Sequence, residues 1–350
     1  MSTGTRPTIR ADHVTEIRPL TALDGTALTL LHVQGRYPAS RGPVLLAHGT
    51  GVRAEMFRPP LPRTLVDALL DEGWDVWLLN WRASIDLPPV PWTLDQAAAY
   101  DYPAAVRAVL ATTGAQRLKA IVHCQGSTSC TMAAVSGLLP EVDTVISNAV
   151  SLHPVIPALS LIKIGRVAPI LGRLLPHVSP AWADKPDGLL SRAMVAFARA
   201  THWECDNPVC RMVSFTYGSG WPALWSHDHL DEATHDWIRG EFGQCPISFF
   251  AQMDRSTRAG HLVPVDNLPE LPSSFVTGAP QTDARFVFLT GENNRCFLPE
   301  SQQRSFAFFA KHRPGRDTLY RIAGYGHLDV IFGRNAWKDT YPLILEELAR

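Results

Sequence analysis

Short β-forming runs separated by helical stretches are what most constrain the fold of this chain. The runs are VLLAHG (44–49), DVWLLNW (75–81), AIVHC (120–124), TVISNAV (144–150), RFVFLTG (285–291) and TLYRIAG (318–324). Helical stretches at 62–72, 94–113 and 128–139 separate the first four. Strand, helix and strand at this spacing make right-handed crossovers, which predicts an α/β chain with a mostly parallel central sheet flanked by helices. Ahead of these runs, TEIRPLTALDGTALTLLHV has two alternating segments around Asp24-Gly25. That dipeptide suits a type I′ turn and predicts an antiparallel hairpin.

Between Ser151 and about Asp283 the alternation disappears, and proline-broken apolar helices give way to a segment rich in Trp, His and Cys. An insertion of roughly 130 residues is too long for a loop and predicts a helical cap before the last two strands. The expected organisation is a core of 15–150 and 284–350, a cap of 151–283 and an N-terminal extension of 1–14. Caps over the carboxyl ends of strands enclose pockets where open α/β sheets bind ligands, so the site is expected between sheet and cap.

Composition narrows the function. At 46% hydrophobic and 19% charged residues, the chain is neither disordered nor a coiled coil. The balance of 32 basic against 33 acidic side chains gives no field that would draw it onto nucleic acid. The N-terminal MSTGTRPTIRADH lacks the apolar core of a secretory signal, and the greasiest stretch, 155–175, is interrupted by Lys163, Arg166 and Arg173. A cytoplasmic chain with no stable membrane insertion is expected. Six cysteines in 350 residues are too few for a disulfide scaffold.

The chemistry is expected at Val122-His123-Cys124-Gln125-Gly126-Ser127, at the end of a strand and the start of a helix. A strand, a sharp turn carrying Ser or Cys, and a helix form a nucleophile elbow, with small residues wanted two before and two after the nucleophile. Cys124 takes that position; Gly126 satisfies the second requirement and Val122 does not satisfy the first. The helix N-terminus is expected to lower the thiol pKa toward neutrality. His327, in Gly324-Tyr325-Gly326-His327-Leu328-Asp329 after the last strand, is the expected base. Nucleophile first and His last is the chain order of such hydrolases. After the strand ending at Gly291, Asn294 stands where a triad acid is usual, and Glu292 is the only acid nearby. A cysteine that rests as thiolate beside imidazolium needs only an orienting amide; Asn294 is therefore the expected third member, with Glu292 as the alternative. Asp329 is expected to cap the following helix. His48-Gly49-Thr50-Gly51 supplies flexible backbone for an oxyanion hole, built from the N–H of Gln125 and that of Thr50 or Gly51.

The HGTG turn, the HCQGS elbow and the GYGHLDVIFG segment resemble the α/β hydrolases of the acid-lipase group. They resemble more closely the cysteine-bearing hydrolase-like domains fused to cholesterol-oxidase-type flavoenzymes, and more distantly the polyhydroxyalkanoate synthases. The resemblance runs from about Thr15 to Leu348 and implies the α/β-hydrolase fold and a Cys-His catalytic pair. The expected activity is esterase or thioesterase chemistry on a small hydrophobic acyl substrate, through an acyl-enzyme. An acyltransferase using the same cysteine, or a non-catalytic binding module beside a separate oxidoreductase, are the alternatives. No cofactor and no metal are expected. Cys205 and Cys210 lack a second pair at zinc spacing. SHDHLDEATH, with His227, Asp228, His229, Asp231 and His235, reads as a solvated helix start before it reads as a cation site. Trp203, Trp221, Trp225 and Trp237 are expected to pack the cap, as is the apolar segment 156–175.

Overall fold

The structure is a computed structural model that describes residues 13–218 and 224–350; Trp221 and most of the N-terminal extension lie outside them. Eight strands form one sheet: β1 (Val14–Thr21), β2 (Ala27–Gln34), β3 (Pro43–Ala47), β4 (Asp75–Asn80), β5 (Leu118–His123), β6 (Val142–Asn148), β9 (Arg285–Gly291) and β10 (Thr318–Ile322). The remaining two, β7 (His177–Val178) and β8 (Cys245–Pro246), make a small antiparallel ladder in the cap. The sheet order is β1-β2-β4-β3-β5-β6-β9-β10. β1 and β2 pair antiparallel with each other, and β2 pairs antiparallel with β4. From β4 to β10 every pairing is parallel. All five residues of β3 are buried, as expected for a central parallel strand covered by helices on both faces.

The hairpin is present, but its turn is not type I′. Thr21 pairs with Ala27, which leaves a loop of Ala22–Thr26, and of Asp24 and Gly25 only Gly25 has positive φ, at 88°. Ala22 N–H donates to the Thr26 carbonyl at 2.8 Å, and the Asp24 carboxylate accepts from the Thr26 N–H at 3.1 Å. The Asp24 side chain thus closes a longer loop in which one left-handed residue suffices.

Between β4 and β5 the predicted helix runs as Leu94–Gln96, a single wide turn at Ala97–Asp101, and Tyr102–Thr113. The carboxylate of Asp101 is buried against Arg82 at 2.5 Å, and Arg82 also reaches Asp24 at 3.0 Å. This triad ties the hairpin loop to the end of β4. At the C-terminus two short helices, Ala336–Asp339 and Tyr341–Ala349, are separated at Thr340. Pro342, in the first turn of the second helix, has no N–H to carry the hydrogen-bond ladder back across the break.

Between β6 and β9 the chain builds the cap from helices that include Ala158–Ile162, Leu189–Thr201, Pro208–Tyr217, Glu232–Trp237 and Ile247–Ala259. Trp225 is buried beside Phe242 and Phe332, and Trp237 meets Phe332 edge-on. Trp203 departs from the expectation of packing, being 68% exposed. Among the described residues no helix is long and apolar enough to cross a membrane.

Candidate active site

Cys124 follows β5 directly, with φ 55° and ψ −122°, a conformation that non-glycine residues rarely adopt. Three backbone bonds hold it there. Its N–H donates to the Asn148 carbonyl at 3.1 Å, and its own carbonyl accepts from Ser127 and Thr128 at 3.0 and 3.1 Å. The helix Gln125–Val135 starts at the next residue. A Cβ at Gly126 would fall 2.3 Å from the His48 carbonyl oxygen, so only glycine lets the helix pack against the end of β3. Val122, the larger residue at the upstream position, is buried between Ala47 and Ser147. The small neighbours on both adjoining strands supply the room that a glycine would otherwise provide.

The turn after β3 closes over the nucleophile. A Cβ at Gly49 would lie 2.9 Å from the Cys124 Cβ, so the turn approaches the cysteine as closely as a backbone can. The backbone N–H groups of Gln125 and Thr50 lie on the sulfur side of Cys124 and favour its thiolate form. Gly51, the other candidate for the hole, donates its N–H to the Ala83 carbonyl at 3.3 Å. His48 is scaffold: its Nδ1 pairs with the Gly49 carbonyl at 2.7 Å, and its own carbonyl accepts the Trp81 indole N–H at 2.9 Å.

His327 is buried, and one of its ring nitrogens lies within 4.8 Å of the Cys124 sulfur. His123, beside the nucleophile, meets that ring edge-on with centroids 4.6 Å apart. The cap holds the histidine loop in place, since the Leu224 carbonyl accepts the N–H of His327 at 3.1 Å and of Leu328 at 2.7 Å. Burial pushes the Cys124 thiol up to about 12, outweighing the two N–H donors on the sulfur. Burial also drops the His327 imidazole to about 3. The pair therefore rests as thiol and neutral imidazole. This reverses the thiolate expected from the helix N-terminus: removal from water disfavours the charged form of both partners, and it is the larger effect.

The candidates for the third member separate clearly. Glu292 is exposed and paired with Arg321 at 3.0 Å. Asn294 is buried, and its Oδ1 accepts the backbone N–H groups of Cys296 and Phe297, each at 3.1 Å. Its Nδ2 has no hydrogen-bond partner, and neither has the Nδ1 of His327. With its oxygen engaged, Asn294 offers only donors, so it can pair only with an unprotonated Nδ1.

Asp329 does not cap the helix Asp329–Phe332, which has no side-chain cap. Its carboxylate accepts the Gly326 N–H at 2.7 Å and pairs with His229 Nδ1 at 2.9 Å. His229, from the cap, thereby grips the turn that carries His327. Neither partner signals the other in sequence, because they are a hundred positions apart and meet only through the cap.

Above the cysteine lies a pocket whose walls include Ile156, Ile164, Phe249, Phe250, Met253 and Phe297. A second pocket shares Lys163, Ile164, Thr216 and Phe250 with the first and is otherwise lined by apolar residues. Lys163 is lowered to about 8 by burial, and its ammonium donates to the carbonyls of Phe215, at 2.5 Å, and Gly218. The apolar segment 156–175 packs the cap and also lines the pocket. Ile156 and Ile164 face the cavity, while Leu159, Ile162, Ile170 and Leu174 are exposed.

The mostly parallel sheet flanked by helices agrees with comparison to known proteins. The family described as the alpha/beta hydrolase fold matches residues 42–334, and the chain belongs to that family. Sterol esterase 2 of Saccharomyces cerevisiae is 29% identical over 131 residues, which are 33% of this chain and 24% of that protein. Human lipase member K is 32% identical over 130 residues, 34% of this chain and 32% of that protein. These matches thus span about a quarter to a third of each relative's length. A thermophilic esterase from Thermogutta terrifontis superposes over 95% of this chain and 98% of its own, with a TM-score of 0.58 at 15% identity; that likeness concerns the fold.

Proposed function

We propose that the chain is an esterase or thioesterase that cleaves a hydrophobic acyl ester through a covalent acyl–Cys124 intermediate. The observation that carries this reading is the convergence of the Thr50 and Gln125 N–H groups on a sulfur held at a strained elbow. Such strain persists only where surrounding structure over-determines it, and it clusters at active sites. Cys124 attacks the carbonyl carbon as its proton passes to His327, and the two N–H groups move from the sulfur to the developing oxyanion. The leaving alcohol or thiol takes the proton from His327. Water then attacks the thioester carbonyl, its proton again taken by His327, and the acid and the free thiol are regenerated. Asn294 is the residue we assign beside Nδ1 of His327; because it can only donate there, it favours the tautomer protonated at Nε2, and proton transfer from Cys124 runs through the less populated Nδ1-protonated tautomer. The apolar walls of the cavity favour a greasy acyl group, and the names of the partial relatives, a sterol esterase and a lipase, agree with that choice.

The test is turnover of p-nitrophenyl esters and acyl thioesters of graded length, with intact-mass trapping of the acyl-enzyme. The expected result is an adduct on the Cys124 peptide that disappears in Cys124→Ala. Folded protein that neither turns over nor gains mass across the panel would overturn the proposal and leave a ligand-binding module. Added alcohol separates hydrolysis from acyl transfer by diverting the intermediate to a new ester.

A further inference from the structure

The cap brings together four side chains that the active site does not use. Cys205 and Cys210 flank the start of the helix Pro208–Tyr217, His227 opens the turn His227–His229, and His235 sits in the helix Glu232–Trp237. Their two sulfurs and two imidazole nitrogens all lie within 4.8 Å of one another. Cys210 Sγ is 3.4 Å from His227 Nε2, and the two imidazole rings stand perpendicular at 89°, with centroids 5.0 Å apart.

We propose that Cys205, Cys210, His227 and His235 form a structural zinc site that clamps the two halves of the cap together. Zinc–sulfur bonds of about 2.3 Å and zinc–nitrogen bonds of about 2.0–2.1 Å set tetrahedral edges of roughly 3.3–3.8 Å between ligand atoms. The measured Cys210–His227 edge falls in that interval. The Nε2 of His235 is buried with no hydrogen-bond partner, a costly arrangement that a metal bond relieves. Two thiolates and two neutral imidazoles complete a closed set with no open position, which suits a structural rather than a catalytic ion.

The surroundings are built to hold such a set. The Asn207 side chain caps the first helix by accepting the Val209 and Cys210 N–H groups at 3.0 and 3.1 Å. Its amide also donates to the His235 carbonyl at 2.6 Å, joining the two ligand-bearing segments. Asp231 caps the second helix by accepting the Thr234 N–H at 2.7 Å. Of the residues that the sequence offered as a cation cluster, His229 is instead committed to Asp329 at 2.9 Å. In the chain, Thr216 and Tyr217, which line the cavity, and Leu224, which holds the His327 loop, lie between the cysteine pair and the histidine pair of the site. It stands apart from the identity of the substrate.

Metal content settles the matter. Untagged protein purified without chelator is assayed by inductively coupled plasma mass spectrometry, with Cys205→Ser, His235→Ala and Cys124→Ala beside it. About one zinc per chain is expected, lost in the first two variants and retained in Cys124→Ala. Retention by the cap variants with loss in Cys124→Ala would place the ion at the active site and refute the proposal. If the cap variants do not fold, cobalt titration of metal-free wild-type protein decides. Tetrahedral d–d bands with thiolate-to-cobalt charge transfer support the site, and their absence overturns it. A Cys205–Cys210 disulfide, read from intact mass after denaturing alkylation without reductant, also overturns it.

Discussion

The sulfur of Cys124 and a ring nitrogen of His327 lie within 4.8 Å of each other, and burial moves their proton affinities apart instead of toward an ion pair. A thiol raised to about 12 beside an imidazole lowered to about 3 holds its proton through the neutral range. Attack and proton transfer must then be coupled, with substrate binding supplying the carbonyl that draws the Thr50 and Gln125 N–H groups off the sulfur.

This gives a labelling expectation. Alkylation of Cys124 by iodoacetamide, followed on its own peptide by mass spectrometry, will be slow at neutral pH and will keep rising into strongly alkaline solution. The sign follows from the direction of the shift: a raised thiol pKa leaves little thiolate until the solution is well above the ordinary cysteine value of about 8.5. Fast labelling with a plateau below neutral pH would mean a resident thiolate–imidazolium pair.

Replacing Asn294 by Asp will raise activity. The aspartate retains one oxygen for the Cys296 and Phe297 N–H groups and presents its second oxygen where the unpartnered Nδ2 now sits. A carboxylate there favours the tautomer with Nδ1 protonated, leaving Nε2 free to take the thiol proton, and it stabilises the imidazolium that follows. Loss of this interaction in a serine triad costs about 10⁴-fold in kcat; a gain on the order of tenfold or more in kcat is expected here, with the basic group's pKa rising in the pH–rate profile. An unchanged profile in a folded Asn294→Asp protein would remove Asn294 from the role assigned to it. Asn294→Ala leaves two backbone donors in the loop without their acceptor and should cost about 1–3 kcal/mol of stability.

Gly49 and Gly126 make a paired test because their crowding differs in kind. A methyl at Gly126 meets the His48 and Ala47 carbonyl oxygens at 2.3 and 3.0 Å, between a helix and a central strand that cannot part cheaply. Gly126→Ala should destabilise by about 3 kcal/mol or more, read by denaturant unfolding. At Gly49 the methyl meets the Cys124 side chain at 2.9 Å, and the turn can recoil. Gly49→Ala should stay folded but displace the Thr50 N–H, and losing one oxyanion donor costs about 10²–10³ in kcat. Equal stability losses from the two variants would contradict this division.

The legible parts of this molecule are those fixed by local pattern. The run at 285–291 emerges as β9 with the same bounds, and Cys124 is recognisable because strand, turn and helix are contiguous in sequence. His327 is legible only through its place after the last strand. The proton state of the pair is not, since the helix start beside Cys124 is local while the burial that outweighs it comes from cap and sheet together. Val122 reads as a defect until Ala47 and Ser147 are seen beside it. The cysteine–histidine cluster escapes for the same reason. Neither Cys205-Cys210 nor the SHDHLDEATH run has a full ligand set, and only the folded cap makes one from two halves.

The His229–Asp329 contact should make stability fall as pH rises. Hydrogen bonding to the Asp329 carboxylate, at 2.9 Å, holds the His229 pKa above its ordinary value, with their mutual attraction adding to it. A histidine whose pKa is higher folded than unfolded contributes stability that is fully present below about 6.5 and fades as pH climbs through the folded value. Buried histidines held below their ordinary value, His327 among them, act in the opposite direction, so the His229 contribution is read as the difference in melting temperature between wild type and His229→Gln across that window. His229→Gln should lose about 1 kcal/mol relative to the wild type at the acidic end and little at the alkaline end. Because the contact anchors the turn leading to His327, the same variant should lose activity while the Cys124 labelling rate stays unchanged. A pH slope identical in wild type and His229→Gln would assign that slope to other groups.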